Sequence, residues 1–296
     1  MKGSCKLVKD KSLTFILEKM DLTTNVTTHL VIAHSPDSDD AYMMAPLALG
    51  WLDDDLDRQD FTFDFVRLDI EKLNQLSFEE RFDVSAISFG VYPHIQNRYD
   101  LLTAGSSIQE GTGPLVVSRI PLTPKKLIDH TIAIPGIYTS AYLSLQRFHP
   151  HLKTHVMPFD EILPSLERGE SDVGLLIHES QLMYKEKGLY LVVDLGQWWK
   201  ETFNLPLPMG GNAIRRSLPE DTKKKFAKCM KKSVQMARNR HWESVDYAQG
   251  FGRGMDRDMV SRYVTAWVND FTVDPGLRGR LAVHHLLNIE AHWIQG

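Results

Sequence analysis

The stretch TIAIPGIYTSAYLSLQRFHPHLKTHVMPFDEILPSLERGESDVGLLIH, residues 131–178, decides the fold. Its short apolar runs, TIAIP, THVMP and DVGLLIH, are rich in β-branched residues and read as strands. Between them, YTSAYLSLQRF and FDEILPSLERG place apolar residues at helical spacing. Strands alternating with helices in this way build α/β architecture with mainly parallel sheets.

The same alternation runs upstream. HLVIAH (29–34) reads as a strand and DDAYMMAPLALGWL (39–52) as a helix opened by two aspartates. FTFDFVRL (61–68) alternates with period two, as a strand with one wetter face does. DIEKLNQLSFEERF (69–82) is helical, and DVSAISF (83–89) is a short buried strand. Two proline-rich passages, SRIPLTPKKL (118–127) and NLPLPMGGNAIRR (204–216), separate the two β-α series, and from about Pro219 the chain reads as helical. A segment entered and left through two linkers predicts a hinged clamp. Lobe one is expected at 28–120 plus 213–296, lobe two at 121–212, and the ligand cleft between them. Residues 1–27 are expected to form a poorly ordered extension.

Composition narrows the function classes. A length of 296 residues with 43% hydrophobic and 24% charged residues suits a globular chain with a large core. A net charge of −4 gives no reason to expect a nucleic-acid partner. The densest basic run, KKKFAKCMKK (223–232), sets Phe226, Cys229, Met230 and Val234 at helical spacing, which predicts a solvated lysine face over a core helix. Cys5 and Cys229 lie far apart, with neither disulfide-framework nor zinc spacing. No apolar run is long enough to span a bilayer, and LTFIL (13–17) is cut short by Glu18 and Lys19. The expectation is a cytoplasmic protein with no membrane partner; the sequence leaves the oligomeric state open.

Ligands of open α/β sheets gather at the carboxyl ends of strands. Four stretches there carry small polar residues. HSPDSDDAY (34–42) offers Ser35, Asp37, Ser38, Asp39 and Asp40, either as a helix cap or as ligand contacts. Its aspartates lack a second acidic cluster, so no metal site is expected. SAISFGVY (85–92) contains Ala86, Ile87 and Ser88, where free N–H groups and the Ser88 hydroxyl suit a carboxylate or phosphate. QEGTGPLVVSR (109–119) lets the backbone approach a ligand at Gly111 and Gly113, with Thr112 a donor between them, or simply makes a turn. IPGIYTSAYL (134–143) brings Thr139, Ser140 and Ala141 to a helix start, again as cap or as ligand site. His178, at the end of a strand facing these donors, is a candidate general base with Glu179 as a possible orienting partner. No Ser-His-Asp or Cys-His order is present, which argues against covalent catalysis.

Together, HSPDSDDAY, SAISFGVYPHIQNRYDLL, EGTGPLVVSR, IPGIYTSAYL, GLLIHESQLMY and VVDLGQWWKETFNLPLPMGGNAIRR resemble the 1,4-dihydroxy-6-naphthoate synthase family of the futalosine route to menaquinone. Chorismate dehydratase is the sister family. The resemblance runs from about residue 30 to about 290 and implies the fold of type II periplasmic binding proteins, with no metal and no cofactor. It implies a lyase that splits cyclic dehypoxanthinylfutalosine into 1,4-dihydroxy-6-naphthoate and dihydroxyacetone, so the expected partner is a small-molecule carboxylate substrate. The family's histidine base falls on His178, its substrate-binding serine on Ser88, and its Thr-Thr helix start on Thr139 and Ser140. Two positions depart from the pattern. Ala86 stands where the family commonly has a lysine, and SPDSDDA where it commonly reads Ser-Pro-Cys-Pro-Asn-Asp-Thr. A non-catalytic binder of small anions and a chorismate dehydratase-like lyase are the rival readings.

Overall fold

The computed structural model describes residues 27–296. The expected N-terminal extension and Cys5 therefore lie, but for residue 27, outside the described residues. Two mixed sheets form the two lobes. The first starts with β1 (Thr28–His34), which pairs in parallel with β2 (Phe61–Arg67) and with β3 (Val84–Ser88). β4 (Tyr99–Leu102) and β5 (Ser107–Gln109) precede the crossing into the second lobe. That lobe contains β6 (Leu115–Ser118), β7 (Thr131–Ile134), β8 (Lys153–Val156), β9 (Val173–Leu176) and β10 (Tyr190–Asp194), in the order β10-β6-β9-β7-β8. The chain returns on β11 (Leu207–Arg215) and ends with β12 (Trp293–Ile294), giving the first sheet the order β12-β4-β11-β3-β1-β2, with β5 also on β11.

The α/β class and the two lobes match the sequence expectation, but the sheets are mixed rather than mainly parallel. The antiparallel partners come from the crossings: β11 runs against β3, β4 and β5, and β6 runs against β9 and β10. A strand that carries the chain between lobes enters each sheet from the opposite end. The boundaries also shift. β6 belongs to the second sheet although it precedes Pro121, and residues 207–212 belong to the first sheet although they lie before 213. The prolines mark irregularities beside the crossings, not the crossings themselves. Pro208 sits opposite Ile108, and the β5–β11 register slips between Pro208 and Gly210.

After β11 come helices Glu220–Asn239, His241–Gln249, Arg257–Trp267, Asp270–Val273 and Gly276–Leu287, so only β12 interrupts the helical tail. Helix Glu220–Asn239 buries Phe226, Cys229, Met230 and Val234 completely, the stripe read from the sequence. Its lysines are less solvated than expected. Lys232 reaches Asp55 at 2.7 Å and Asp57 at 2.9 Å, and Lys225 reaches Asp60 at 2.7 Å. Lys223 points inward to fully buried Asp100 at 2.7 Å; Asp100 also receives Arg216 Nε at 2.8 Å and faces His292 Nδ1 at 2.9 Å. Among the described residues no helix is long and apolar enough to cross a membrane.

Candidate active site

The carboxyl ends of β1 and β3 face those of β7 and β9 across the cleft. Asp37 caps helix Ser38–Ala48 from an extended backbone, its Oδ1 accepting the Asp40 N–H at 3.3 Å. That is the ordinary use of Asp at a helix start. Its other oxygen, Oδ2, lies 3.2 Å from His178 Nδ1, and the Asp37 side chain is only 3% exposed. His178 follows β9 in a turn with φ of +54°, a left-handed conformation that a residue with a Cβ rarely adopts. The turn swings the imidazole over the cavity. Its ring packs edge-on against Phe159 at 5.0 Å, and its Nε2 is buried without a protein partner. Asp37, not the adjacent Glu179, is the group that orients the histidine. Glu179 points away, with Oε2 4.0 Å from Arg253.

The cavity opens into the cleft between the lobes. Of the residues expected at the site from sequence, it gathers Ser35, Asp40, Ala86, Ile87, Ser88, Thr139, Ser140, Ala141 and His178. Thr112 and Gly113 do not line it. The Gly111–Gly113 turn packs on the start of helix Leu195–Phe203, where a Cβ on Gly113 would stand 2.7 Å from the Gly196 nitrogen. Gly113 touches the site only at second hand. The Gln181 amide, oriented with its NH2 toward the Gly113 carbonyl at 2.8 Å, turns its oxygen to the His178 N–H at 3.3 Å. The walls are Met43, Ile70, Ile177, Met209, Tyr263 and Trp267.

Two donor groups face inward. The Thr139 hydroxyl is spent on its own helix, accepting from the Tyr142 N–H at 3.1 Å and donating to the Gly136 carbonyl at 2.9 Å. That leaves the N–H groups of Ser140 and Ala141 in the first turn of helix Ser140–Phe148, where a helix offers its donors no internal partner. Across the cleft, Ser88 Oγ accepts from Asn74 Nδ2 at 3.1 Å, so its hydroxyl proton is free for a ligand. The lobes touch beside these donors. Gly90 N–H donates to Ser140 Oγ at 3.0 Å, and a Cβ on Gly90 would come within 2.8 Å of the Thr139 carbonyl oxygen. Glu71 Oε2 accepts the Tyr138 N–H at 3.3 Å, and Arg253 stacks 4.3 Å over Phe159.

Charge is distributed unusually. Asp37, Asp39, Asp40 and His178 line the cavity, and among the described residues no lysine or arginine does. Burial, then the neighbouring Asp37, pushes the carboxyls of Asp39 and Asp40 well above the usual carboxylate range. Burial raises Glu179 in the same direction. Sequence reading had HSPDSDDAY as a cap or a ligand loop; it had no means of seeing that Asp37 and His178, far apart in the chain, share a contact.

Two α/β lobes around a cleft place the chain in the periplasmic-binding-protein fold, shared by a solved ligand-binding component of an import system from Staphylococcus aureus and by the alkanesulfonate-binding protein SsuA from Xanthomonas axonopodis. Within that fold, residues 30–292 match the family model described as menaquinone biosynthesis, and the chain belongs to that family. Two curated relatives carry the name 1,4-dihydroxy-6-naphtoate synthase. The Thermus thermophilus protein is 35% identical over 74% of this chain and 79% of its own length. The Streptomyces coelicolor protein is 31% identical over 87% of this chain and 91% of its own. The crystal structure of AF1704 from Archaeoglobus fulgidus superposes with a TM-score of 0.81 at 35% identity, covering 90% of this chain and 97% of that one.

Proposed function

We propose that this chain is a carbon-carbon lyase that converts cyclic dehypoxanthinylfutalosine to 1,4-dihydroxy-6-naphthoate and dihydroxyacetone. The names of the two relatives support the activity. The observation that carries the mechanism is the His178–Asp37 contact of 3.2 Å, with Nε2 left without a partner at the cavity. Asp37 holds the Nδ1 proton, so the free lone pair resides on Nε2, where it can accept a proton from substrate. The proton comes from carbon next to a carbonyl. The electron pair it leaves drives scission of the carbon-carbon bond and the ring becomes aromatic; the three-carbon fragment departs with the electrons of the broken bond and takes the proton back from the His178 imidazolium. First-turn N–H groups of Ser140 and Ala141 and the Ser88 hydroxyl are placed to hold developing oxyanion charge.

The test is direct. Purified full-length protein is incubated separately with cyclic dehypoxanthinylfutalosine and with chorismate, and products are followed by mass spectrometry. Naphthoate from the first supports this reading. Dehydration of chorismate instead, or binding of either compound without turnover, would overturn it.

A further inference from the structure

The cleft and its wall hold more buried carboxyl groups than the reaction above uses. Asp39 is 8% exposed, and its Oδ1 has no hydrogen-bond partner. Asp37 is 2% exposed and shares its two oxygens between the Asp40 N–H and the His178 ring. Glu179, 4% exposed, leaves Oε1 unpartnered. Arg253 stands 4.0 Å from Glu179 and is engaged with Phe159. Unpaired buried carboxylates are costly unless a proton, a cation or a ligand completes them.

The arrangement of Asp37, Asp39 and His178 suits a cation. One ligand atom from each of the three, two carboxylate oxygens and one imidazole nitrogen, lies within 4.8 Å of the others. Around a tetrahedral ion with bonds of about 2.0–2.2 Å, such atoms stand roughly 3.4 Å apart, a contraction that side-chain rotation supplies. All three residues line the cavity, so the remaining coordination positions would face the ligand space. The donor set selects the ion. Calcium wants six or more oxygens and magnesium resists imidazole, whereas zinc and its transition-metal neighbours accept mixed nitrogen and oxygen ligands.

We propose that Asp37, Asp39 and His178 form a divalent transition-metal site of the zinc class in the cleft. The ion would supply the positive charge that the cavity lining lacks, within reach of an anionic ligand. It would also compete with the base: a metal on the imidazole removes the lone pair that proton transfer needs, so His178 serves one role at a time. The site thus goes beyond the lyase reading and stands or falls separately from it.

The experiment uses the full chain stripped with chelator, titrated by calorimetry with zinc chloride and, as a control for nonspecific acidic binding, with calcium chloride. We expect one zinc per chain, micromolar or tighter, with calcium silent. Asp39→Asn keeps the size of the side chain and should weaken zinc at least tenfold; His178→Asn should do the same. Cobalt substituted for zinc should give a visible absorption band in the wild type that both variants lose. Thermal unfolding of each stripped variant verifies that it is folded. Absence of stoichiometric zinc binding, or binding unchanged in both folded variants, overturns the site. Zinc is read without turnover, so a chain that binds zinc but makes no naphthoate sinks only the lyase reading. A chain that makes naphthoate and binds no zinc sinks only this one.

Discussion

Asp100 and the Asp37–Asp39–Glu179 group are both carboxylates taken out of water, and the molecule treats them in opposite ways. Fully buried Asp100 is met by Lys223 at 2.7 Å, Arg216 at 2.8 Å and His292 at 2.9 Å. It ties helix Glu220–Asn239 to β4 and serves the fold. In the cleft, two carboxylates, Asp37 and Asp39, lie close to one histidine, and Asp39 Oδ1 and the neighbouring Glu179 Oε1 have no partner at all. A site that leaves such groups incomplete keeps its electrostatics for something that arrives later. The contrast separates a group that stabilises from groups that act, and each prediction below presses on one side of it.

The largest effect is expected at the base. His178→Asn keeps the size and part of the hydrogen bonding to Asp37 but removes the basic nitrogen. We expect kcat on the cyclic futalosine to fall ~10²–10⁴-fold, with KM little changed. Steady-state kinetics check this, and a near-normal kcat would remove His178 from the mechanism.

On the structural side, Asp100→Ala strands the Lys223 ammonium, whose side chain is 5% exposed. Breaking a buried pair from one side costs about 3–5 kcal/mol, and Glu220, 2.8 Å from Lys223, should keep the loss toward the lower end of that range. Denaturant unfolding measures it. A loss below roughly 1 kcal/mol, the range of exposed pairs, would show that this node is no better than a surface ion pair and would blur the contrast with the cleft.

A third variant makes the cleft more like the Asp100 node. Ala86 is 4% exposed and lines the cavity. Ala86→Lys would add a cation to a lining that has none among the described residues. We expect the affinity for a benzoate-type carboxylate to rise about tenfold, since a charge-assisted hydrogen bond contributes ~1.5–3 kcal/mol. Calorimetry on both proteins decides it. Unchanged affinity would mean that Asp39 or Asp40 captures the new ammonium.

The sequence made the lobes legible because strand and helix periods are local. TIAIP, THVMP and DVGLLIH became β7, β8 and β9 with only their ends moved. Most of the strand-end residues also arrived at one cavity, since the carboxyl ends of parallel strands share an edge. Pairing direction was not legible. Nothing local in LVVS or in LPMGGNAIR tells that each runs antiparallel to its neighbours, because that depends on where the chain re-enters the sheet. Nor do prolines locate a crossing; they tolerate an irregular edge, as Pro208 does on β11. At the site, Glu179 was the natural partner for His178 by adjacency, yet the left-handed turn at His178 sends the two side chains apart and hands the ring to Asp37. Thr112 and Gly113 looked like ligand contacts because glycine permits close approach; the approach is real, but Gly196 is what comes close.

The smallest effect, and the one that most sharpens the comparison, is on stability at Asp39. If the cleft carboxylates were stabilising in the manner of Asp100, neutralising one would weaken the fold. The geometry argues otherwise. Asp39 Oδ1 has no donor to accept from, and its charged neighbours include Asp37, Asp40 and Glu179. Asn keeps the shape, carries no charge at any pH, and puts an NH2 among groups that only accept. One new hydrogen bond contributes about 1 kcal/mol. In chelator-stripped protein at neutral pH, Asp39→Asn should therefore be as stable as the wild type or about 1 kcal/mol more stable by denaturant unfolding. A clear loss of stability would mean that Asp39 is held by partners after all, and the difference between the two buried acidic regions would collapse.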